Sequence, residues 1–124
     1  MTGMVLLDTT VWAEHLVRRD LAIAHLVERD ALLHHPFVAA EIALIAGSRG
    51  GPVCDALAYL RTLTVLPDDT MLAFAAAHAL AGGGLGFVGT HLLASTAHAG
   101  ARLWSRDPAL AAQAERLGLG YQPD

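Results

Sequence analysis

Short apolar runs alternate along this chain with longer segments whose apolar residues recur at helical spacing. The short runs predict strands at residues 4–7, 31–34, 63–66, Arg102–Trp104 and 119–121. The longer segments predict helices over residues 10–19, 21–29, 36–47, 53–61, 68–81, 90–99 and 108–117. Because strands that alternate with helices pair in parallel, we expect an α/β fold: a three-layer sandwich with a central, mostly parallel sheet covered by helices.

The composition favours a folded, soluble domain. The chain has 124 residues, of which 54% are hydrophobic and 16% are charged. It therefore has enough apolar surface to offset the entropy lost on ordering, which excludes disorder, and we expect one domain over residues 1–124. The longest weakly polar stretches, residues 37–47 and 71–81, are shorter than the ~20 residues of a membrane span. No signal-peptide pattern begins the chain, and the single cysteine, Cys54, excludes an internal disulfide, so we expect a cytoplasmic protein.

The charged residues exclude several functions. All eight basic residues are arginine, and the lack of lysine excludes a Schiff-base enzyme, a Walker-type phosphate site and a lysine-dependent receiver domain. The formal net charge of −4 argues against a protein that coats nucleic acid through charge alone. A nuclease with a few arginines around an acidic metal pocket is compatible with this balance.

Two acidic residues follow predicted strands. Asp8 ends the first strand, and Asp107 follows the fourth strand after two intervening residues. Because sites in parallel sheets form at the carboxyl ends of strands, the two carboxylates could share one site. The alternative is that each acid only caps a helix. Asp107 could cap the helix that begins at Pro108. The first helix could be capped by Asp8, or else by Thr9 or Thr10.

A third carboxylate, Glu41, lies within the apolar segment 37–46. An ionised glutamate on so apolar a helix is seldom buried without a partner, although it could instead point outward to solvent. Three carboxylates that converge would suit a hard divalent cation such as Mg²⁺. The chemistry of such a centre would be metal-assisted cleavage of a phosphodiester.

Five segments in order carry a resemblance to a known family. They are residues 5–12 (VLLDTTVW), 40–42 (AEI), 86–95 (GFVGTHLLAS), 102–107 (RLWSRD) and 117–119 (LGL). These segments resemble the ordered motifs of PIN-domain ribonucleases, in particular the VapC toxins of bacterial toxin–antitoxin pairs. The resemblance spans nearly the whole chain, and its specificity comes from the order and spacing of the motifs.

The resemblance implies a PIN-like fold and a pocket of four acids that binds Mg²⁺ or Mn²⁺ and hydrolyses structured RNA, such as tRNA or ribosomal RNA. Asp8, Glu41 and Asp107 match three of the acidic positions, and Asp8 and Asp107 are the implied metal ligands. Ser105 matches the family's hydroxyl position, where it would orient a carboxylate or a metal-bound water.

The resemblance also implies partners. A small VapB-like antitoxin would insert its C-terminal segment into the acidic groove, and RNA would be the substrate. We expect a homodimer or a higher toxin–antitoxin assembly, with no membrane involved. The apolar faces around Trp12, Leu16 and Leu26 are expected to bind an amphipathic helix of a partner or a second copy of the chain. Trp12 and Leu16, which lie at helical spacing, could also belong to the core.

This chain departs from the family pattern at one acidic position. The third acid, expected just before the helix that contains His91, is Gly89 in this chain. Its loss should weaken metal binding, so this form of the enzyme could be inactive, and a PIN-fold module that binds antitoxin or RNA without cleaving is the alternative function. Three origins fit: an inactivating substitution introduced for production, selection of a clone that tolerates the toxin, and a naturally weak nuclease. The intact remainder of the motif favours the first two.

Two other patterns are discounted. Residues 84–89 match G-x-G-x-x-G, but they follow a predicted helix rather than the strand that a dinucleotide site requires. The seven histidines lack the spacing of a zinc site, and the adjacent pair His34 and His35 would point to opposite faces of a strand.

Overall fold

The computed structural model describes residues 3–123, which contain four short strands and seven α-helices. The strands are β1 (Val5–Leu7), β2 (Leu32–His34), β3 (Arg61–Thr62) and β4 (Arg102–Trp104). The helices are α1 (Thr9–Val17), α2 (Leu21–Glu28), α3 (Pro36–Ala46), α4 (Gly51–Leu57), α5 (Asp68–Ala77), α6 (Phe87–Ala99) and α7 (Pro108–Arg116), with a 3₁₀ turn at Gly47–Gly50 between α3 and α4.

The four strands form one parallel sheet in the order β3-β2-β1-β4. Val5 of the central strand β1 pairs with Leu32 on one side and with Arg102 on the other. All three residues of β1 are buried, so both faces of this strand are covered. A four-stranded parallel sheet flanked by helices confirms the predicted α/β, PIN-like fold.

A single apolar cluster joins the sheet to the helices and includes two residues expected at a partner surface. Trp12 is 6% exposed and Leu26 is 1% exposed, so both are core residues and the expectation that they face a partner is wrong. Trp12 on α1 and Leu26 on α2 both belong to the apolar cluster, and Leu16 is partly buried against it. The large apolar side chains that do face solvent on α1 and α3 are Val17, Leu44 and Ile45.

Two predicted strands differ from the structure. β3 comprises Arg61 and Thr62, and residues 63–66 are not a strand, because β2 ends at His34. The N–H of Leu63 donates to the His34 carbonyl at 2.8 Å, and beyond it the neighbouring strand offers no further residue to pair with. At the C-terminus, the strand predicted at residues 119–121 is reduced to one isolated bridge, between Gly120 and Leu103.

Several helix ends also differ from the prediction. α6 begins at Phe87 rather than at Thr90, since extended Gly86 is its N-cap and the Thr90 N–H already donates to the Gly86 carbonyl. α5 ends at Ala77 rather than near residue 81, because Ala79 adopts a positive φ of 54°. α4 covers Gly51–Leu57 rather than residues 53–61.

α3, the 3₁₀ turn and α4 follow one another as one helical segment, Pro36–Leu57. This 22-residue segment contains an 18-residue window with a mean hydropathy of 1.2, and it is the one part of the described chain that could cross a membrane by length and composition. This segment is longer than the stretches considered in the sequence. Length and composition are weak evidence for a span, and Glu41 in α3 lines the polar cleft described below.

Candidate active site

The ends of β1 and β4 place two candidate residues side by side. Leu7 pairs with Trp104 at the last register position, and the Asp8 N–H donates to the Trp104 carbonyl at 3.1 Å. Asp8 and Ser105 therefore leave the sheet at the same edge. The Ser105 Oγ donates a hydrogen bond of 2.5 Å to Asp8 Oδ2.

Two hydroxyl groups hold the Asp8 carboxylate, one on each oxygen. Thr10 Oγ1 donates to Asp8 Oδ1 at 2.5 Å, as Ser105 does to Oδ2. Each hydroxyl accepts a backbone N–H from the loop after β4: the Arg106 N–H donates to Thr10 at 2.9 Å, and the Asp107 N–H donates to Ser105 at 3.0 Å. Because each hydroxyl oxygen accepts an N–H, its own proton is left for Asp8, and the loop fixes the orientation of the carboxylate.

Asp8 and Asp107 also cap the helices that follow them. Asp8 Oδ1 accepts the Val11 N–H, and Asp107 Oδ1 accepts the Ala109 N–H, each at 3.2 Å. Asp8, rather than either threonine after it, is the N-cap of α1. The sequence left open whether these two acids cap helices or lie at one place in the fold. In the structure they do both, since Asp8 and Asp107 line the same cleft.

Asp8 is the one buried carboxylate among residues 3–123, with 4% of its surface exposed. Burial raises the pKa of the Asp8 carboxyl, because the charged form loses hydration. Hydrogen bonds from Ser105, Thr10 and the Val11 N–H act in the opposite direction and lower this pKa. A cation bound beside Asp8 would further stabilise its charged form.

Glu41 reaches this region from α3. Its Oε1 accepts a hydrogen bond of 2.5 Å from Thr9 Oγ1, and Thr9 directly follows Asp8 in the chain. Glu41 is partly buried and lies against α1 rather than pointing away into solvent. The hydroxyls of Thr9 and Thr10 therefore each hold a different carboxylate.

All three candidate carboxylates line one cleft of about 260 Å³ at the carboxyl edge of the sheet. Its polar lining comes from Asp8, Thr9, Thr10, Glu41 and Asp107, and its apolar lining includes Ile45, Val88, Leu92 and Leu110. Ser105 is not part of this lining but donates its hydrogen bond to Asp8. All four residues singled out in the sequence are thus found at one place in the fold.

Gly89 lines this cleft as the third residue of α6 rather than from a loop before the helix. A Cβ at this position would lie 3.8 Å from the two terminal carbons of Leu110, which is an ordinary van der Waals distance. Neither the backbone conformation nor the space around it requires glycine here. The position could therefore accommodate the carboxylate that the family pattern has.

The donor chemistry of the cleft fits a hard divalent cation that keeps part of its water shell. Mg²⁺ prefers oxygen ligands and is usually bound through one or two carboxylates together with water. Within residues 3–123 no three His, Cys, Asp or Glu side chains are grouped closely enough to hold a metal ion by themselves. Asp8 and Asp107 could hold such an ion with water, whereas a cage of three carboxylates is not formed.

Thr9 and Thr10 are the residues of this region that sequence reasoning missed. They were considered only as possible helix caps, yet each donates a hydrogen bond of 2.5 Å to a candidate carboxylate. The available signal was their position directly after an acid at a strand end, where hydroxyl groups can reach that acid or its neighbours.

The sequence of this chain is similar to those of known ribonucleases. No family model matches the chain. The chain is 39% identical over 117 residues to ribonuclease VapC32 of Mycobacterium tuberculosis strain CDC 1551 / Oshkosh, and to the same degree to ribonuclease VapC32 of strain ATCC 25618 / H37Rv. The alignment covers 94% of this chain and 94% of each relative. The similarity thus extends over nearly the full length of both proteins rather than over a single motif.

Proposed function

The chain belongs to the VapC family of PIN-domain ribonuclease toxins, and on that premise we propose that it is a metal-dependent endoribonuclease that cleaves structured RNA, either tRNA or ribosomal RNA. One observation carries the proposal: Asp8, Glu41 and Asp107 line a single cleft at the carboxyl edge of the parallel sheet. Oxygen donors in such a cleft suit metal-assisted hydrolysis of a phosphodiester.

Asp8 and Asp107 are proposed as the ligands of Mg²⁺ or Mn²⁺. The bound ion would lower the pKa of a water molecule and stabilise the charge that develops on the leaving oxygen. Ser105 keeps Asp8 oriented through its hydrogen bond of 2.5 Å. Glu41, fixed by Thr9, is proposed to accept a proton from the attacking water.

The proposed protein partner is a VapB-like antitoxin whose C-terminal segment carries arginine, since a guanidinium pairs well with carboxylates. Ile45 lines both the acidic cleft and a neighbouring groove of about 230 Å³ between α1 and α3, which includes Leu16 and Val17. An antitoxin segment with apolar residues next to an arginine would occupy the groove with its apolar side chains and the acidic cleft with its guanidinium. The cytoplasm, where structured RNA is available, is the proposed compartment.

Gly89 favours a second candidate function. It contributes no side chain to the cleft, where the family pattern has an acid, so a PIN-fold module that binds antitoxin or RNA without cleaving it is the alternative.

Incubation of tRNA and ribosomal RNA with the purified chain, and with its Gly89→Asp variant, tests the proposal. We expect cleavage that requires Mg²⁺ or Mn²⁺ and stops on addition of EDTA. The substitution Asp107→Asn, introduced into whichever of the two forms cleaves RNA, should abolish that cleavage. Cleavage that survives EDTA would exclude the metal mechanism. Binding of RNA without cleavage by either form would favour the binding module.

A further inference from the structure

Arg106 lies in the loop between Ser105 and Asp107 and contacts two helices. Its Nε is 2.9 Å from Glu14 Oε2 on α1, and its Nη2 is 3.0 Å from Asp20 Oδ2 before α2. The guanidinium also lies over the Trp104 ring, 5.6 Å from its centre. Three contacts thus hold one exposed side chain in a single position.

α1 receives both the backbone and the side chain of Arg106. The Arg106 N–H donates to Thr10 Oγ1, and its guanidinium pairs with Glu14, which is four residues further and therefore on the same face of the helix. Asp20 is itself fixed, because its Oδ1 accepts the Ala22 N–H as the N-cap of α2. Arg106 thereby attaches the loop to two successive turns of α1 and to the start of α2.

We propose that Arg106 is a positioning residue for phosphodiester cleavage, which acts by keeping the loop of residues 105–107 against α1. The inference rests on the proposed nuclease activity, in which Asp8 is a metal ligand. Without the ion pairs, the N–H of residue 106 would leave Thr10, whose hydroxyl could then rotate away from Asp8. The loop would also carry the Ser105 hydroxyl away from the Asp8 carboxylate. Asp8 would stay in place as a helix cap but lose its fixed orientation.

An arginine beside a nuclease cleft could instead contact an RNA phosphate. Here Glu14 and Asp20 already engage the guanidinium, which favours the positioning role. The two roles differ in their kinetics. A positioning residue acts on kcat and depends on Glu14 and Asp20, whereas a phosphate contact acts on KM and does not depend on them.

The test compares Arg106→Gln, Arg106→Lys and Glu14→Gln in the full chain. The matched control is Arg102→Gln, which removes an exposed arginine of β4 whose guanidinium donates to the Gly120 carbonyl. The first measurement is hydrogen exchange by NMR of the amide of residue 106, which donates to Thr10 on α1. We expect its protection factor to fall at least tenfold in Arg106→Gln, to fall less in Arg106→Lys and Glu14→Gln, and to stay unchanged in Arg102→Gln.

The second measurement is RNA cleavage with the same variants in the Gly89→Asp background. We expect Arg106→Gln to lower kcat about tenfold at an unchanged KM, with partial recovery in Arg106→Lys. Unchanged protection of the amide of residue 106 in Arg106→Gln would overturn the proposal. A raised KM with unchanged kcat would also overturn it, because Arg106 would then be an RNA contact. Amide exchange needs no catalysis, so absence of cleavage with Arg106 intact would count against the proposed function and not against the anchoring of the loop.

Discussion

The Ser105 hydroxyl donates a hydrogen bond of 2.5 Å to the Asp8 carboxylate, although 97 positions separate the two residues in the chain. Parallel pairing of β1 with β4 removes that separation, because both residues directly follow paired strand ends. The bond also connects α1, which Asp8 caps, to the loop that carries Asp107. The geometry of the carboxylate cleft therefore depends on the sheet as much as on the acids themselves.

Removal of either hydroxyl that holds Asp8 should lower the rate of RNA cleavage and reduce the stability of the fold only slightly. For Ser105→Ala and for Thr10→Val we expect kcat to fall roughly tenfold, about 1.4 kcal/mol of transition-state stabilisation, and the free energy of unfolding to fall by about 1 kcal/mol. Single-turnover cleavage and urea unfolding measure the two effects. Ser48→Ala, at an exposed serine of the 3₁₀ turn, is the control, and an equal loss of activity in it would contradict the prediction.

Asp8→Asn should abolish metal binding while it preserves the fold. Asparagine also caps helices well, so α1 should keep its start, and titration calorimetry should detect no Mn²⁺ binding. Burial raises the pKa of Asp8, so its charged form is disfavoured in the folded protein and the neutral amide should increase stability at neutral pH in the absence of metal. Exposed Asp69→Asn is the control; equal Mn²⁺ affinity in both variants would remove Asp8 from the site.

The buried His35 should make stability depend on pH. Its Nδ1 accepts the Phe37 N–H at 3.0 Å as the N-cap of α3, and its ring is fully buried. Burial, together with the charges of His91 and His34, lowers the pKa of His35 from 6.5 to about 4. Burial also lowers the pKa of His34. The unfolded chain therefore takes up protons before the folded protein does, so stability is complete above pH 6.5 and is lost as the pH falls toward 4.

His35→Asn should reduce this pH dependence, because asparagine keeps a capping oxygen and does not titrate. We expect the wild-type chain to lose on the order of 2 kcal/mol of stability between pH 6.5 and pH 4 through this group, and the variant to lose correspondingly less. Urea unfolding at a series of pH values measures the slope. His25→Asn, at an exposed histidine, serves as the control, and identical slopes in His35→Asn and the wild-type chain would contradict the assignment.

Charged substitutions on the exposed apolar residues of α1 and α3 should weaken assembly. Val17 and Leu44 are each 86% exposed, and burial of such side chains contributes roughly 1.5–3 kcal/mol apiece. We expect the wild-type chain to be at least dimeric by light scattering at tens of micromolar. The double variant Val17→Glu, Leu44→Glu should shift toward the monomer. Leu72→Glu, at an apolar residue of α5 that is 60% exposed, should not. A monomeric wild-type chain would contradict the proposed assembly.

The parts of the fold that depend on local pattern could be predicted from the sequence. β4 is found at Arg102–Trp104 as expected, and the acids after β1 and β4 line the same cleft, because parallel strands end at the same edge. β3 could not be predicted. Its two residues, Arg61 and Thr62, are exposed at the sheet edge, so no apolar pattern identifies them, and only pairing with β2 defines the strand.

The hydroxyl network of the site was beyond sequence reasoning for a different reason. Thr10 donates to Asp8 only two residues away, which is a local contact. Its orientation, however, depends on the Arg106 N–H, 96 positions later. Such a contact arises only once the sheet has formed, and no spacing rule predicts it. The same is true of Thr9 and Glu41, which are joined by the packing of α1 against α3.

Gly89→Asp should restore or raise metal-dependent cleavage without disturbing the fold. The new Cβ has space, with Leu110 at 3.8 Å, and a negative charge in the first turn of α6 is favourable by about 0.3–1 kcal/mol. Repulsion from Asp8, Glu41 and Asp107 should offset part of that gain until a cation binds. Because the added carboxylate lines the cleft, we expect cleavage of tRNA or ribosomal RNA to rise at least tenfold, about 1.4 kcal/mol, and EDTA to abolish the increase.

Gly86→Asp is the matched control for this variant. Gly86 is the N-cap of the same helix, has open space around it and does not line the cleft. An aspartate there should stabilise α6 as a cap by up to a few tenths of a kcal/mol relative to glycine but leave cleavage unchanged. Gly89→Asp alone should also become toxic when expressed without antitoxin. If both variants cleave no better than the parent chain, Gly89 does not occupy a ligand position and the non-cleaving binding module becomes the better description of this protein.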